Sequence, residues 1–242
     1  MKKQFAIIGV DKFGKRMIDE LSSLDCEILI IDKDPAVVEL WKDKVDAAFI
    51  ADVFSQETIE KLIPSDIDAV IVDLGNSQEV SILVTNYLHK AGIKKIVVRA
   101  GTDEHGEILK IVGATDVIFP SREAARRLTP LLAAPLMVNY LPLSPGFILA
   151  EVKAARRLVG QTIFDADMKK DGIMNIIAIR NEESMDYNFS HPDYVLKEDD
   201  FLLVAGNQKD IIEFSNEDVF DKSKKNNKKG IFSILGWKTT KA

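Results

Sequence analysis

Between residues 4 and 119 the chain alternates short apolar runs with amphipathic segments, and few folds accept that rhythm. The runs QFAII, EILII, AAFI, DAVIV, KIVV and DVIF are separated by helical patterns over 14–24, 35–43, 55–62, 76–91 and 103–112. A short strand that is apolar throughout is buried on both faces, and helical crossovers keep such strands parallel. Right-handed βαβ units repeated in this way predict an α/β fold: a doubly wound, Rossmann-like parallel sheet of six strands with five helices. Local signals agree. Pro35 follows the cap candidate Asp34, Ser55 precedes QETIEKL, and Gly92 in HKAGIKK stands where a helix should stop.

After Pro120 the rhythm changes. SREAARRL reads as a helix, and Leu128 to Ala150 then runs for 23 residues without a charge. That is long enough to span a bilayer. However, Pro130, Pro135, Pro142 and Pro145 each remove a donor and obstruct a helix, so a buried connector or a subunit contact is expected instead. Beyond Leu141, FILAEVKA, MNIIAIR, MDYNF and DFLLVAG read as strands, with IFDADMKK and QKDIIEF as short helices. The expected organisation is a nucleotide-binding domain over 1–120, a crossover helix and connector over 121–140, a smaller α+β regulatory domain over 141–215, and a basic, disordered tail over 216–242.

Charge and cysteine content narrow the partners. The net charge is −6, but the seven lysines from Lys222 onward leave residues 1–221 with 25 basic against 38 acidic residues. A body with a net charge of −13 lacks the basic face that nucleic acid requires. The single cysteine, Cys26, excludes an internal disulfide and cysteine-rich zinc sites, and no metal site is expected. No basic-then-apolar segment opens the chain, which favours the cytoplasm.

The stretch FAIIGVDKFGKRM carries the strongest chemical signal. A strand runs into a glycine turn and a helix, with Gly9 for the tight turn and Gly14 for close helix–strand packing. The turn, Gly9, Val10, Asp11, Lys12, Phe13 and Gly14, would present helix amides and a partial positive charge to an anion. Asp32, followed by Lys33, ends the second strand 23 residues after Gly9. A carboxylate there accepts ribose hydroxyls and repels a 2′-phosphate. Asp52 and Val53 follow the third strand, where a side chain or amide can read an adenine edge or simply cap the next helix. Asp73 opens DLGNSQE after the fourth strand, at the place of a dinucleotide's other half. Arg99, after the fifth strand, faces either a phosphate or a carboxylate.

Asp11 is the anomaly, because the fingerprint has its middle glycine there. A carboxylate about 4 Å from a phosphate opposes it by about 4 kcal/mol at an effective dielectric of 20. Lys12, Lys15 and Arg16 can offset part of this; otherwise Asp11 points outward or helps to hold a cation. Catalysis finds little support. His89, His105 and His191 are far apart in sequence, Cys26 reads as inert packing, and no serine-elbow or Walker pattern occurs.

The ordered series DKDPAVVE, FIADVFSQETIEK, the long run from DAVIVDLGNSQEV to TDEHGEILKIVGATDVIFP, and DDFLLVAGN resembles the RCK proteins. The likeness is to the regulators of Trk/Ktr potassium uptake systems, over about residues 4–215. The resemblance implies a non-enzymatic, ligand-sensing subunit, cytosolic and peripheral to the inner face of the membrane. It would form dimers that build a ring and gate a membrane potassium-translocating subunit when an adenine nucleotide (NAD(H), ATP or ADP) changes the ring's shape. It also implies a possible second ligand, cyclic di-AMP, at Ile163, Phe164, Asp167, Lys169, Asn175, Ile176 and Ile177, with lysine where the motif has arginine. Two departures, Asp11 for glycine and Ser121 where Ktr-like members carry a cation-holding Glu, imply altered or absent ATP sensing. The tail's lysines, followed by Ile231, Phe232, Ile234, Leu235 and Trp237, either contact anionic lipid or the channel's inner face, or stay solvated.

Overall fold

The computed structural model describes residues 2–166, 174–184 and 186–216. The chain divides into two compact units, one ending at Glu123 and one beginning at Ala124.

In the first unit six strands form one sheet: β1 (Lys3–Ile8), β2 (Cys26–Asp32), β3 (Ala47–Ile50), β4 (Ala69–Val72), β5 (Ile96–Arg99) and β6 (Asp116–Ile118). Their order is β3-β2-β1-β4-β5-β6, and every pairing is parallel. The connections are α1 (Lys12–Leu21), α2 (Pro35–Trp41), α3 (Gln56–Leu62), α4 (Gln78–Lys90) and α5 (Asp103–Ile111). The apolar runs explain the burial. Ile7, Ile30 and Ile71 face one layer with Ile18 and Trp41, while Ile8, Ile31 and Val72 face the other with Val84 and Leu88. Period-two alternation therefore buries both faces, each fully enclosed isoleucine contributing about 1.5–3 kcal/mol.

The helix starts follow the sequence signals. The Asp34 carboxylate accepts the Ala36 amide at 2.9 Å, and Ser55 Oγ accepts that of Thr58 at 3.1 Å. Because β1 lies between β2 and β4, the crossover from β1 to β2 runs one way along the sheet and the later crossover from β3 to β4 runs back the other way. That switch point opens a crevice at the strands' carboxyl ends.

The second unit is a five-stranded antiparallel sheet of order β10-β9-β11-β8-β7. Its strands are β7 (Met137–Ser144), β8 (Phe147–Lys153), β9 (Met174–Asn181), β10 (Asn188–Phe189) and β11 (Asp200–Asn207). Ile148, Val152, Leu202 and Val204 are buried with Ile211 and Phe214 of α7 (Gln208–Asn216).

This arrangement corrects the buried-connector alternative for the part of 128–150 that precedes the strand read at FILAEVKA. Helix α6 (Pro120–Ala133) continues through Pro130, and β7 then pairs with β8. Pro142 is accommodated because β7 is an edge strand, where a missing donor costs no ladder bond. A tight turn at Gly146, with φ +80°, joins the two strands. IFDADMKK is also corrected in part. Residues 163–166 form a single turn, closed by the Ala166 amide on Thr162 O at 2.8 Å, and the rest of the segment lies outside the described residues. Of the tail expected over 216–242, Asn216 ends the helix that begins at Gln208, and 217–242 lie outside the described residues. No helix among the described residues is long and apolar enough to cross a membrane.

Candidate functional site

A cleft of about 300 Å³ opens at the switch point. Gly9, Val10, Asp11, Lys15, Asp32, Lys33, Asp34, Asp52, Val53, Phe54, Asp73 and Gly75 contribute to its lining. Its shape begins with Gly9. The φ of +80° suits glycine, and a Cβ there would lie 2.2 Å from Asp73 O. A Cβ on Gly14 would lie 2.6 Å from Gly9 O, so the helix can approach the turn only without a side chain at that position.

On the β2 side, Asp32 holds the turn in place. Its Oδ2 accepts the Val10 amide at 2.8 Å and its Oδ1 accepts that of Asp34 at 2.9 Å. Each oxygen keeps a further lone pair, which is what two ribose hydroxyls would need. Asp52 is exposed and accepts the Phe54 amide at 3.1 Å. It closes a local turn, while Ser55 caps α3. Val53 is buried beside it.

The β4 side is different. Phe13 and Gly14 donate their amides to Asp73 Oδ2 at 3.0 and 2.8 Å. Asp73 Oδ1 accepts from Arg99 Nη1 at 3.2 Å, and the same nitrogen donates to Gly75 O at 3.1 Å. Arg99 thus faces carboxylates, Asp11 Oδ2 being 4.0 Å away. Asp11 itself takes φ −79°, so its backbone does not require glycine, and its side chain makes no capping bond to α1. It is 47% exposed and points to the rim.

Of the sequence candidates, Gly9, Val10, Asp11, Asp32, Lys33, Asp52, Val53 and Asp73 meet in this cleft. Phe13 packs into the core below α1, Gly14 is buried behind the turn, and Lys12 is exposed at the helix start. Lys15, Asp34, Phe54 and Gly75 also line the cleft. Lys15 comes from the first turn of α1, whereas the proximity of Asp34, Phe54 and Gly75 depends on loop conformations that no spacing rule specifies. His105 is buried, its Nε2 is 2.8 Å from Ser81 Oγ and its Nδ1 has no partner. Burial, and next the Arg99 charge, push its pKa down, which favours the neutral ring.

In the second unit Ile163 and Phe164 lie in the single turn, their amides donating to Tyr194 O and Pro192 O at 3.0 Å each. Phe164 is 76% exposed. Asn175, Ile176 and Ile177 lie on β9, where Ile176 packs on the core and Ile177 falls at the register shift opposite Leu203/Val204. Asp167 and Lys169 lie outside the described residues.

The first unit is thus doubly wound, with a carboxylate-rimmed cleft at its switch point, and a small antiparallel unit follows it in the chain. The family model described as the TrkA-N domain matches residues 5–120, and that described as the TrkA-C domain matches residues 147–217. The chain is 31% identical over 214 residues to the Ktr system potassium uptake protein C of Bacillus subtilis (strain 168), covering 88% of this chain and 96% of that protein. It is 28% identical over 209 residues to the Ktr system potassium uptake protein A of Vibrio alginolyticus, covering 85% and 93%. The solved GsuK RCK domain superposes with a TM-score of 0.61 at 17% identity, over 89% of this chain and 47% of that one. The GsuK channel bound to NAD superposes at 0.60 and 16%, over 87% and 38%. This chain therefore spans less than half of either solved chain, and at such identities the likeness is one of fold. The chain belongs to the TrkA-N/TrkA-C family of Ktr-type potassium uptake proteins.

Proposed function

We propose that this chain is a cytosolic, ligand-sensing subunit that regulates a membrane potassium transporter and performs no reaction itself. The switch-point cleft would hold an adenosine-containing ligand, with NAD(H), ATP and ADP as the initial candidates. The observation that carries the reading is the placement of Asp32. It is braced by two backbone amides at the end of β2, with acceptor capacity left over on the cleft wall, where a ribose would lie beside Asp52 and Val53. The relatives' names support the potassium system, and the NAD-bound GsuK channel supports a nucleotide in this fold.

Regulation requires only that the ligand bind one assembly state more tightly than another. Assembly as dimers within a ring is supported by α6, whose Leu128 and Leu132 are 55% and 85% exposed one turn apart. A second ligand such as cyclic di-AMP would belong to the turn at Ile163 and Phe164 and to Asn175–Ile177. The test is calorimetric titration with adenosine, ADP, ATP and NADH, followed by potassium flux through the membrane partner with and without the binder. Saturable binding with altered flux is expected. Steady consumption of NADH, or flux indifferent to every adenine compound, would overturn the reading.

A further inference from the structure

Two of the amides that a dinucleotide turn and its helix offer to a phosphate are already occupied in this chain. Phe13 and Gly14, the second and third residues of α1, give theirs to Asp73 Oδ2. The Asp73 side chain is 0% exposed, and its other oxygen accepts from Arg99. An internal anion thus sits where two amides and the positive end of a ten-residue helix would hold an external one. Arg99 is committed as well, to Asp73 and Gly75 O, and it does not line the cleft. Asp11 adds a second carboxylate to the same rim. A diphosphate would have to expel Asp73 from its amides or lie beside Asp11 and the Arg99-paired Asp73, with Lys15 and Lys33 as the cations of the lining.

The β2 and β3 side carries no such obstruction. Asp32 and Asp52 face the cleft with acceptor capacity to spare, and hydroxyl and amino donors, not phosphate oxygens, satisfy carboxylates. We infer that Asp73 is a specificity-determining residue that converts the dinucleotide turn into a site for adenosine-class ligands with no charged diphosphate at the turn. The inference rests on the cleft being an adenosine site, as proposed above, and it predicts an inverted order of affinities. The neutral nucleoside should bind at least as tightly as ADP or NADH.

The test is titration of the full chain with adenosine, ADP and NADH, for wild type, Asp73→Ala and Asp73→Asn. In the wild type adenosine should equal or exceed ADP. In Asp73→Ala the ADP affinity should rise at least tenfold while adenosine changes by less than threefold. Should Asp73→Ala fail to fold, Asp73→Asn keeps an acceptor for the two amides and removes the charge, and its ADP-to-adenosine ratio should move the same way. Wild-type ADP binding tenfold tighter than adenosine, with a ratio unmoved in Asp73→Asn, would overturn the role of Asp73 and leave the adenosine site standing. Failure of all three compounds to bind any variant would overturn both.

Discussion

Oδ2 of Asp73 accepts the amide of Gly14 at 2.8 Å across 59 positions of sequence, fastening the end of β4 to the first turn of α1. A helix leaves its first amides without internal partners, and the residue before it commonly supplies a side-chain oxygen. Asp11 occupies that position and makes no such bond. The cap comes instead from the end of β4, the neighbour of β1 in the sheet, so helix capping, charge pairing with Arg99 and cleft shape depend on one buried carboxylate.

Removing that carboxylate should destabilise the first unit. Asp73→Ala strands two amides and leaves the Arg99 guanidinium, only 27% exposed, without its main partner. Losses of this kind are about 2–4 kcal/mol, whereas Asp73→Asn, which keeps an acceptor, should lose about half as much. Urea unfolding followed by circular dichroism measures both. Equal stability of all three proteins would show that Asp73 does not hold the turn.

Gly9 should be the least replaceable residue of the turn. Its φ of +80° disfavours any side chain, and a Cβ would collide with Asp73 O at 2.2 Å. Gly92 provides the comparison, having φ +79° with nothing within 4 Å of its Cβ. Gly92→Ala should cost about 1 kcal/mol from backbone conformation alone. Gly9→Ala adds a backbone collision and should yield little folded protein, as soluble yield and thermal melts would register. Similar behaviour of the two variants would remove the steric account.

The fold was legible because burial leaves a strong trace in the chain. β4 reads AVIV and is buried at all four positions, which only a covered parallel strand explains. That fold class also dictates which strand ends converge, so Gly9, Asp32 and Asp52 could be assigned to one crevice before any coordinates. The partnership of Asp73 with α1 was not legible. It joins residues with no common spacing and depends on where a side chain turns after β4. Likewise Arg99 left phosphate and carboxylate open, since sequence gives its charge but not its neighbour. β7 was missed for another reason: its proline argues against a strand, and only the edge position removes the objection.

Acid should act through His105. The ring's pKa is lowered from the ordinary 6.5, chiefly by burial and then by Arg99, so the folded protein binds that proton less readily than the unfolded chain. The stabilisation is complete above about pH 6.5 and is lost as pH falls through the folded-state pKa. His105→Gln removes the titration and retains an amide to meet Ser81 Oγ. Urea midpoints at pH 7.5 and 5.5 should therefore converge for the variant more than for wild type. Parallel pH profiles would exclude His105 as the acid-sensitive group.

The second unit contains a nearly buried ion pair on its sheet. Arg180 Nε and Nη2 reach Glu151 Oε1 at 2.6 and 2.5 Å, and the guanidinium lies 4.2 Å from the Phe201 ring centre. Deleting one partner leaves an uncompensated charge, so Glu151→Ala should cost about 3 kcal/mol. Glu151→Leu combined with Arg180→Met removes both charges and should recover much of that loss. Chemical denaturation of the single and double variants checks the coupling, and additive losses would deny it.

Ribose recognition can be isolated from every question about phosphate. If Asp32 receives the sugar hydroxyls, adenosine should outcompete 2′-deoxyadenosine, since one bond to a charged acceptor contributes about 1.5–3 kcal/mol, or about tenfold or more in affinity. Asp32→Ala should erase that preference by lowering adenosine to the level of the deoxy compound. The variant also loses the acceptor of the Val10 and Asp34 amides, so some stability falls with it. The ratio of the two affinities within each protein is independent of that loss, whereas either affinity alone is not. Asp52→Ala serves as the neighbouring control. Its carboxylate lies beyond β3 and should leave the hydroxyl preference intact. A wild-type ratio near one, or a preference that survives in Asp32→Ala, would place the ribose elsewhere.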